Sequence, residues 1–318
     1  MTQEKAPEIS IVVPIYNEAP NLRPLVDKIC SVMRPLDRSF EHLLVDDGST
    51  DESRDILTSL KKENRELRIL FFRRNFGQSA AMTAGFDHAR GGIVVSMDGD
   101  LQNDPANIPK MIERLEEGFD LVNGWRKDRK DKFFSRRLPS IIANRIIGKV
   151  TGVHLHDYGC TLKSYRSELA KKLLLYGELH RFIPVLADFH GAKIDEVVVS
   201  HHPRREGKSK YGISRTYRVI LDLLLMLFFQ KFATRPLHLF GLGGGLLFTV
   251  GFLIELYLTC LKIFGGHDIG GRPLLLLGAM LIITGIGLVG IGLCAELIVR
   301  TYYESSDKRI YSVREILE

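Results

Sequence analysis

Two stretches late in the chain, Pro236–Phe264 and Pro273–Val299, are almost entirely apolar. Each exceeds the roughly 20 residues that cross a bilayer core. Within lipid no water pairs with backbone N–H and C=O groups, so both are expected as internally bonded helices. Both are rich in glycine, as membrane helices often are. The linker Gly265–Arg272 is short, which makes the pair a hairpin. Gly241 and Gly245 form a G-x-x-x-G spacing suited to close helix packing. Glu255 and Glu296 fall within the stretches, and at about 1.5 Å per residue each is expected near a membrane face. Arg300 stands one turn beyond Glu296 as an i,i+4 partner. Lys231, Arg235 and Arg300, with the basic runs before them, place both outer ends, and so both termini, on the cytoplasmic side.

The first two hundred residues read differently. Apolar runs at Ser10–Tyr16, His42–Val45, Arg68–Phe72, Ile93–Met97, Asp120–Trp125 and Ile194–His201 read as strands. Helical patterns fall between them at Asn21–Met33, Asp51–Asn64, a segment ending near Ala89, Pro105–Glu117, Ser135–Val150, Ser167–Tyr176 and His180–His190. Alternation of this kind predicts an α/β fold of parallel βαβ units with right-handed crossovers. It is not the dinucleotide type, because no G-x-G-x-x-G follows the first strand, and no P-loop occurs. Met1–Glu8 is polar and no early apolar stretch follows, so no cleavable signal peptide is expected and this module is expected in the cytosol. The four cysteines are far apart and form no C-x-x-C pair, which argues for reduced thiols rather than disulfides or a zinc site. A net charge of +6 suits nucleic acid, anionic lipid or a phosphorylated ligand equally well.

Chemistry concentrates at Val94–Asp104. The strand delivers Asp98 and Asp100 to its carboxyl end, where open α/β sheets bind ligands. Gly99 between them removes a side chain where a ligand would approach. Two neighbouring carboxylates repel unless a cation lies between them, and Mg²⁺ or Mn²⁺ fits, with substrate phosphates completing the shell. Gln102 adds a neutral oxygen. Asp104-Pro105 opens the next helix, with Asp104 as its cap. The basic loop Arg126–Arg137 reads either as a solvated charge run or as a set of cations over a diphosphate. His154–Lys163 reads as a loop and strand with a polar cluster, in which His154 and His156 alternate about Leu155, and exposed or hydrogen-bonded histidines are the favoured reading over metal ligands. A second basic run, Arg204–Arg218, leads into a stripe of Ile213, Tyr217, Ile220, Leu224 and Leu227, opposite Arg215, Arg218 and Asp222. That pattern is a helix lying in a membrane interface.

Four ordered motifs carry a specific resemblance: Val13-Pro14-Ile15-Tyr16-Asn17-Glu18, Val45-Asp46-Asp47-Gly48-Ser49, Met97-Asp98-Gly99-Asp100-Leu101-Gln102 and Arg204-x-x-Gly207-x-Ser209-Lys210. With the two C-terminal spans, the chain resembles family 2 GT-A glycosyltransferases that act on polyprenyl phosphates, among them dolichol-phosphate mannose synthases and bacterial GtrB-type glucosyltransferases. The resemblance covers nearly the whole chain. It implies a GT-A catalytic domain at 1–203, a basic amphipathic juxtamembrane segment at 204–232, a transmembrane hairpin at 233–302 and a cytosolic tail at 303–318. Pro14, Tyr16 and Glu18 would line the nucleotide, with Glu18 and Asp46 or Asp47 on base or ribose. Asp98, Asp100 and Gln102 would hold Mg²⁺ or Mn²⁺ against the diphosphate. Arg126 and Arg137 (or Arg136) would clamp the phosphates, and Asp157 would stand near the sugar. Arg204, Ser209, Lys210 and Arg215 would meet the acceptor phosphate.

The implied partners are a nucleotide-sugar donor, a polyprenyl-phosphate acceptor and the bilayer, with no nucleic acid, and the glycine-rich spans leave homo-oligomerisation open. UDP-glucose is favoured over GDP-mannose, with inversion to a β-linked product. A processive polysaccharide synthase would carry Gln-x-x-Arg-Trp, which is absent. A nucleotidyltransferase would open with a Gly-rich, Arg-containing loop, also absent. A membrane scaffold would leave Asp98, Asp100 and the arginine loop without a purpose, and a two-helix hairpin alone is a poor translocase.

Overall fold

The structure is a computed structural model. It describes residues 6–127, 144–145, 147–149, 151–175, 177, 179–203, 236–305 and 313–317. The chain divides into two compact units, one formed by Met1–Tyr217 with Arg309–Glu318 and the other by Arg218–Lys308.

The first unit is built on an eight-stranded sheet in the order β7-β5-β6-β4-β1-β2-β3-β8. Its strands are β1 (Ile9–Ile15), β2 (Phe40–Asp46), β3 (Leu67–Phe72), β4 (Ile93–Ser96), β5 (Leu121–Trp125), β6 (Lys163–Arg166), β7 (Ile194–Val198) and β8 (Val313–Leu317). β4, β1, β2 and β3 are parallel, as the βαβ alternation predicts. The sheet is nevertheless mixed. β6 runs antiparallel between β4 and β5, and β8 antiparallel along β3. Neither strand is evident from the alternation. The expected strand from His154 to Lys163 begins only at Lys163, and β8 follows the apolar helices in the chain.

Helices cover both faces because strand residues alternate. Ile9, Ile11, Val13 and Ile15 point to one face, where α1 (Ala19–Met33), α2 (Ser53–Glu63) and α4 (Ile108–Glu116) supply Leu22, Leu25, Leu57, Leu60, Met111 and Leu115. Val12, Leu43, Val45 and Leu70 point to the other, against α3 (Gln78–His88), α5 (Ser167–Lys172) and α6 (Ile183–Phe189). Asp104 accepts from the N–H of Ala106 at 3.1 Å and caps the turn before α4, as expected. At the amino ends of the strands, buried Glu41 accepts from Arg68 and from the N–H of Arg90, each at 2.8 Å, and from Ser10. This network ties β1, β2, β3 and the approach to β4 together.

β1 and β4 separate where the sequence demands it. Val12 directs its carbonyl to the N–H of Met97 at 3.2 Å, whereas Ile15 directs its carbonyl to Asp47 of the β2 side at 2.8 Å. Backbone groups two residues apart face the same neighbour. The N–H that Pro14 lacks is therefore one that would have faced β4. Pairing of β1 with β4 ends at Val12 and Ser96, while pairing with β2 continues to Ile15. A crevice opens at this point.

The second unit is a pair of long helices, α7 (Pro236–Gly265) and α8 (Pro273–Ser305). Phe240–Gly265 and Pro273–Ala295 are long and apolar enough to cross a membrane, and their large hydrophobic side chains are largely exposed. The hairpin packs through glycines. A Cβ on Gly244 would stand 2.5 Å from the carbonyl oxygen of Gly285, and one on Gly251 would stand 2.7 Å from that of Gly278. The expected Gly241/Gly245 pair is not the contact. A Cβ on Gly245 would meet nothing within 4 Å, and both residues line an outward groove with Leu242, Leu246, Thr249 and Val250. The spacing that matters is seven residues, two helical turns, which keeps Gly244 and Gly251 on one face. Glu255 also departs from expectation, since it lies nearer the middle than either end of the Phe240–Gly265 span. Its carboxylate packs over Gly278, whose missing side chain leaves the room. Glu296 directly follows the second span, and its side chain lies outside the described ones. Lys231 and Arg235 lie outside the described residues, as does the amphipathic stripe from Ile213.

His42 in β2 is fully buried, and among the described residues neither ring nitrogen has a hydrogen-bond partner. Burial pushes its pKa down to about 4, Glu66 opposing and Arg34 assisting. The folded protein thus keeps the ring neutral where the unfolded chain protonates it. Its contribution is complete above pH 6.5 and is lost as pH falls toward 4. The loss reaches about 3 kcal/mol. The melting temperature of a His42→Leu variant should therefore fall less steeply than that of the wild type below pH 6.5. Parallel profiles would assign acid lability to other groups.

Candidate functional site

The loops at the carboxyl ends of β1 to β5, and the turn that enters β6, meet around the β1/β4 crevice. This is the switch point of the strand order, where α/β sheets bind ligands. Pro14 ends the β4-facing ladder of β1, and Tyr16 and Glu18 follow directly. Asn17 sits between them at φ 54°, its N–H on Ser49 Oγ at 2.9 Å and its Oδ1 accepting from the N–H of Thr50 at 2.8 Å. Glu18 accepts from Asn21 Nδ2 at 2.6 Å. The loops after β1 and β2 are thus stitched into one wall.

Asp46 ends β2, Asp47 follows it, and both are buried. Burial raises the Asp46 carboxyl above its ordinary range, against hydrogen bonds from Ser49. Asp47 has a structural engagement. One oxygen accepts from the N–H of Phe76 at 2.7 Å, the other from the N–H of Gly77 and from Asn75 Nδ2, each at 2.9 Å. Burial pushes Asp47 up to about 6, against those bonds. Its carboxylate shapes the turn that starts α3.

Asp98, Asp100 and Gln102 occupy the turn after β4, held by Leu101 at φ 60° with its side chain buried. A left-handed conformation at a branched residue is strained, and here it lets one apolar anchor sit beneath three polar groups. Gly99 does not open space for a ligand as expected. A Cβ there would stand 2.7 Å from Ile15 Cδ1, so the glycine lets β1 pack beneath the turn. Gln78, in the first turn of α3, donates to Asp98 Oδ1 at 2.8 Å. Burial and then the charge of Asp100 hold the Asp98 carboxyl well above the carboxylate range, against Thr161, Arg126 and Lys163. Two hard oxygen donors whose charges oppose one another fit a divalent cation. Among the described residues no third carboxylate, histidine or cysteine joins them. Gln102 donates its N–H to Asp100 Oδ1 at 3.1 Å and is pinned by His202, whose N–H reaches the Gln102 carbonyl at 2.8 Å. The chain described up to Pro203 therefore runs beside the acidic turn.

Arg126 follows β5 and is not a free cation in a flap. Its Nε and a terminal nitrogen meet Asp157 Oδ2 and Oδ1 at 2.6 and 2.9 Å. Burial works against the guanidinium's charge, but the bonds from Asp157 outweigh it and hold the pKa above its ordinary value. Asp157 is only 6% exposed, and its carbonyl accepts from Asn123 Nδ2 at 2.8 Å. Lys163, buried below, donates to the carbonyls of Tyr158 and Cys160. Burial lowers its pKa to about 8, while Cys160, Asp157 and Asp98 oppose the shift. His156 stacks on Trp125 at 4.0 Å and meets Glu196, and His154 bonds to the Gly152 carbonyl at 2.9 Å. Both fit the hydrogen-bonded reading. Arg136, Arg137, Arg204, Ser209, Lys210 and Arg215 lie outside the described residues.

The sequence gives no local sign of Gln78, Asn123 or Lys163. Each acts across loops distant in the chain, and a lysine opening a short strand reads as exposed until the strand is known to be central.

Residues 10–174 match the profile of Glycosyl transferase family 2. Dodecaprenyl-phosphate galacturonate synthase from Rhizobium johnstonii is 48% identical over 98% of this chain and 93% of its own. Undecaprenyl-phosphate 4-deoxy-4-formamido-L-arabinose transferase from Pseudomonas paraeruginosa is 38% identical over 92% of this chain and 86% of its own. Among solved structures, glucosyl-3-phosphoglycerate synthase from Mycobacterium tuberculosis, in complex with Mn²⁺, UDP and glucosyl-3-phosphoglycerate, matches at a TM-score of 0.55 and 18% identity, over 70% of this chain and 80% of that one. A mannosyltransferase from Pyrobaculum calidifontis, in complex with GDP-Man and Mn²⁺, matches at 0.50 and 17%, over 95% and 77%. The structural likenesses are likenesses of fold.

The amide of Gln78 fixes one oxygen of Asp98 and so orients the other. A Gln78→Leu variant should bind Mn²⁺ about ten- to a hundredfold more weakly. Free Mn²⁺ measured by electron paramagnetic resonance reads this directly. Unchanged affinity would leave Gln78 a packing residue of α3.

Proposed function

Because the chain belongs to glycosyl transferase family 2, and within it to the polyprenyl-phosphate glycosyltransferases, we propose that it moves a sugar from a nucleotide-activated donor to a membrane polyprenyl phosphate. The observation that carries this reading is the 48% identity, over 98% of the chain, with a dodecaprenyl-phosphate galacturonate synthase. It makes nucleotide-activated galacturonate the first donor to test. UDP-glucose, the donor favoured from the sequence motifs, comes second and GDP-mannose third. The active domain and both termini face the cytoplasm, where nucleotide sugars are made, and the Gly241/Gly245 groove leaves room for a second copy.

The chemistry needs few protein groups. The bond from the anomeric carbon to the donor diphosphate breaks, and a bond from that carbon to an acceptor phosphate oxygen forms on the opposite side. The product is inverted and β-linked, and the nucleoside diphosphate leaves with the electron pair. A phosphate monoester has a second pKa near 6, so the nucleophile is already ionised at neutral pH and no base is required. This agrees with Asp157, whose two oxygens are both engaged by Arg126. We assign Asp157 to holding Arg126 toward the leaving diphosphate and to facing the cationic sugar with negative charge. Asp98, Asp100 and Gln102 would hold Mg²⁺ or Mn²⁺, which neutralises charge on the leaving group when bound. Pro14, Tyr16, Glu18 and Asp46 line the nucleotide, and Asp47 contributes by shaping the loop beside them. Arg137, Arg204, Ser209, Lys210 and Arg215 are assigned to the phosphates of donor and acceptor.

The test incubates the detergent-purified protein with a polyprenyl phosphate and each donor in turn, with Mn²⁺, with Mg²⁺ and with chelator. Release of nucleoside diphosphate with one donor, dependent on both lipid phosphate and metal, is the expected outcome. Nucleotide binding without release from any donor would return a scaffold role to the front. In the active assay Asp157→Asn should lower kcat by about 10²-fold, with donor Kd close to that of the wild type. Wild-type turnover in this variant would remove Asp157 from the mechanism.

A further inference from the structure

Lys163 is among the largest fully enclosed side chains of the protein, at 1% exposure. An ammonium taken out of water costs several kcal/mol unless its donors are satisfied. Here two are. Nζ donates to the Tyr158 carbonyl at 3.2 Å and to the Cys160 carbonyl. Both carbonyls belong to the turn Asp157-Tyr158-Gly159-Cys160, which carries the carboxylate that holds Arg126. Asn123 anchors the start of the same turn through the Asp157 carbonyl at 2.8 Å. The turn is thus held at its start by β5 and along its length by β6, while its Asp157 side chain meets Arg126 of the loop after β5.

In the sheet Lys163 stands in register with Ser96 of β4 and Asn123 of β5, both buried. An apolar side chain of similar length fills the same volume. What an apolar residue does not supply is the pair of bonds to the turn.

We propose that Lys163 is a positioning residue of the transfer site: its ammonium fastens the Asp157–Cys160 turn to β6 and so fixes the Arg126–Asp157 pair against the donor diphosphate. The proposal rests on the transferase reading for what the pair does, but not for the fastening itself. The nearby Trp125, the chain's single tryptophan, reports on that fastening. It precedes Arg126 and stacks on the ring of His156, the neighbour of Asp157, at 4.0 Å and 13°.

The experiment compares full-length wild type, Lys163→Met and Lys163→Arg in detergent. Lys163→Met takes the ammonium from two buried carbonyls, and its melting temperature should fall. Its kcat should fall by about 10²-fold, the effect of a misplaced reacting geometry, with donor KM little changed. Its Trp125 emission should shift as the His156 stack loosens. Lys163→Arg, which keeps the charge and the donors, should recover most of kcat and the wild-type emission. Wild-type kcat and emission in Lys163→Met would overturn the proposal. So would a lowered melting temperature with unchanged kcat per nucleotide-binding site, which is what a purely structural lysine gives. If the wild type transfers no sugar at all, the transferase reading fails instead, and Trp125 emission still decides on Lys163. A shift restored by arginine supports the fastening, and an unshifted spectrum overturns it.

Discussion

A missing N–H at Pro14 sets where the sheet opens. The two central strands, β1 and β4, run as a bonded pair from their amino ends to Val12 and Ser96, and then part. Without a donor facing β4, the ladder has no next rung. β1 stays fastened to β2 through Ile15 and Asp46, so the parting is one-sided and opens a crevice rather than fraying the sheet. Everything polar that matters gathers at that opening. The acidic turn after β4 lies across it, with Ile15 packed into the space left by Gly99. The walls from β1 and β2 are stitched by Asn17 and Ser49.

The opposite end of the same strands is held shut. Glu41, Arg68 and Ser10 form a buried polar knot near the amino ends, whose groups are hydrogen-bonded to one another and to the chain around His88 and Arg90. Buried ion pairs add little net stability, but breaking one leaves a stranded charge. They therefore penalise any other arrangement of the strands that carry them. One end of the sheet is locked by paired charges. The other carries Asp98 beside Asp100, where burial and then the neighbouring charge hold the Asp98 carboxyl above its ordinary range, against Thr161, Arg126 and Lys163.

Much of this was legible in the sequence. β1 to β5 and β7 are short apolar runs between helical patterns, and local pattern suffices to find them. The Asp104 cap is visible because a cap acts within a few residues of itself. The acidic turn is visible because its carboxylates sit two apart at a strand end. Contacts that join distant segments were not legible. Arg126 and Asp157 are each plain in the sequence, yet their pairing depends on β6 lying between β4 and β5. β6 itself is hidden by its brevity and by Lys163, a residue that sequence statistics place at a surface. In the hairpin, the obvious four-residue glycine spacing faces outward, while a seven-residue spacing makes the contact. Several glycines on every turn make the nearest pair a poor guide to the buried face.

The strand β8 has a bearing on how the molecule is made. It follows both apolar helices in the chain, yet it pairs with β3, a strand formed from the first quarter of the sequence. While the chain is being synthesised, the outer edge of β3 stays open until both helices have emerged. An open parallel edge is a template for mispairing with another chain. Closing it late joins two remote parts of the sequence, a slow step by topology. Completion of the sheet thus waits on the apolar hairpin, and a nascent chain whose hairpin is delayed presents a bare edge in the meantime.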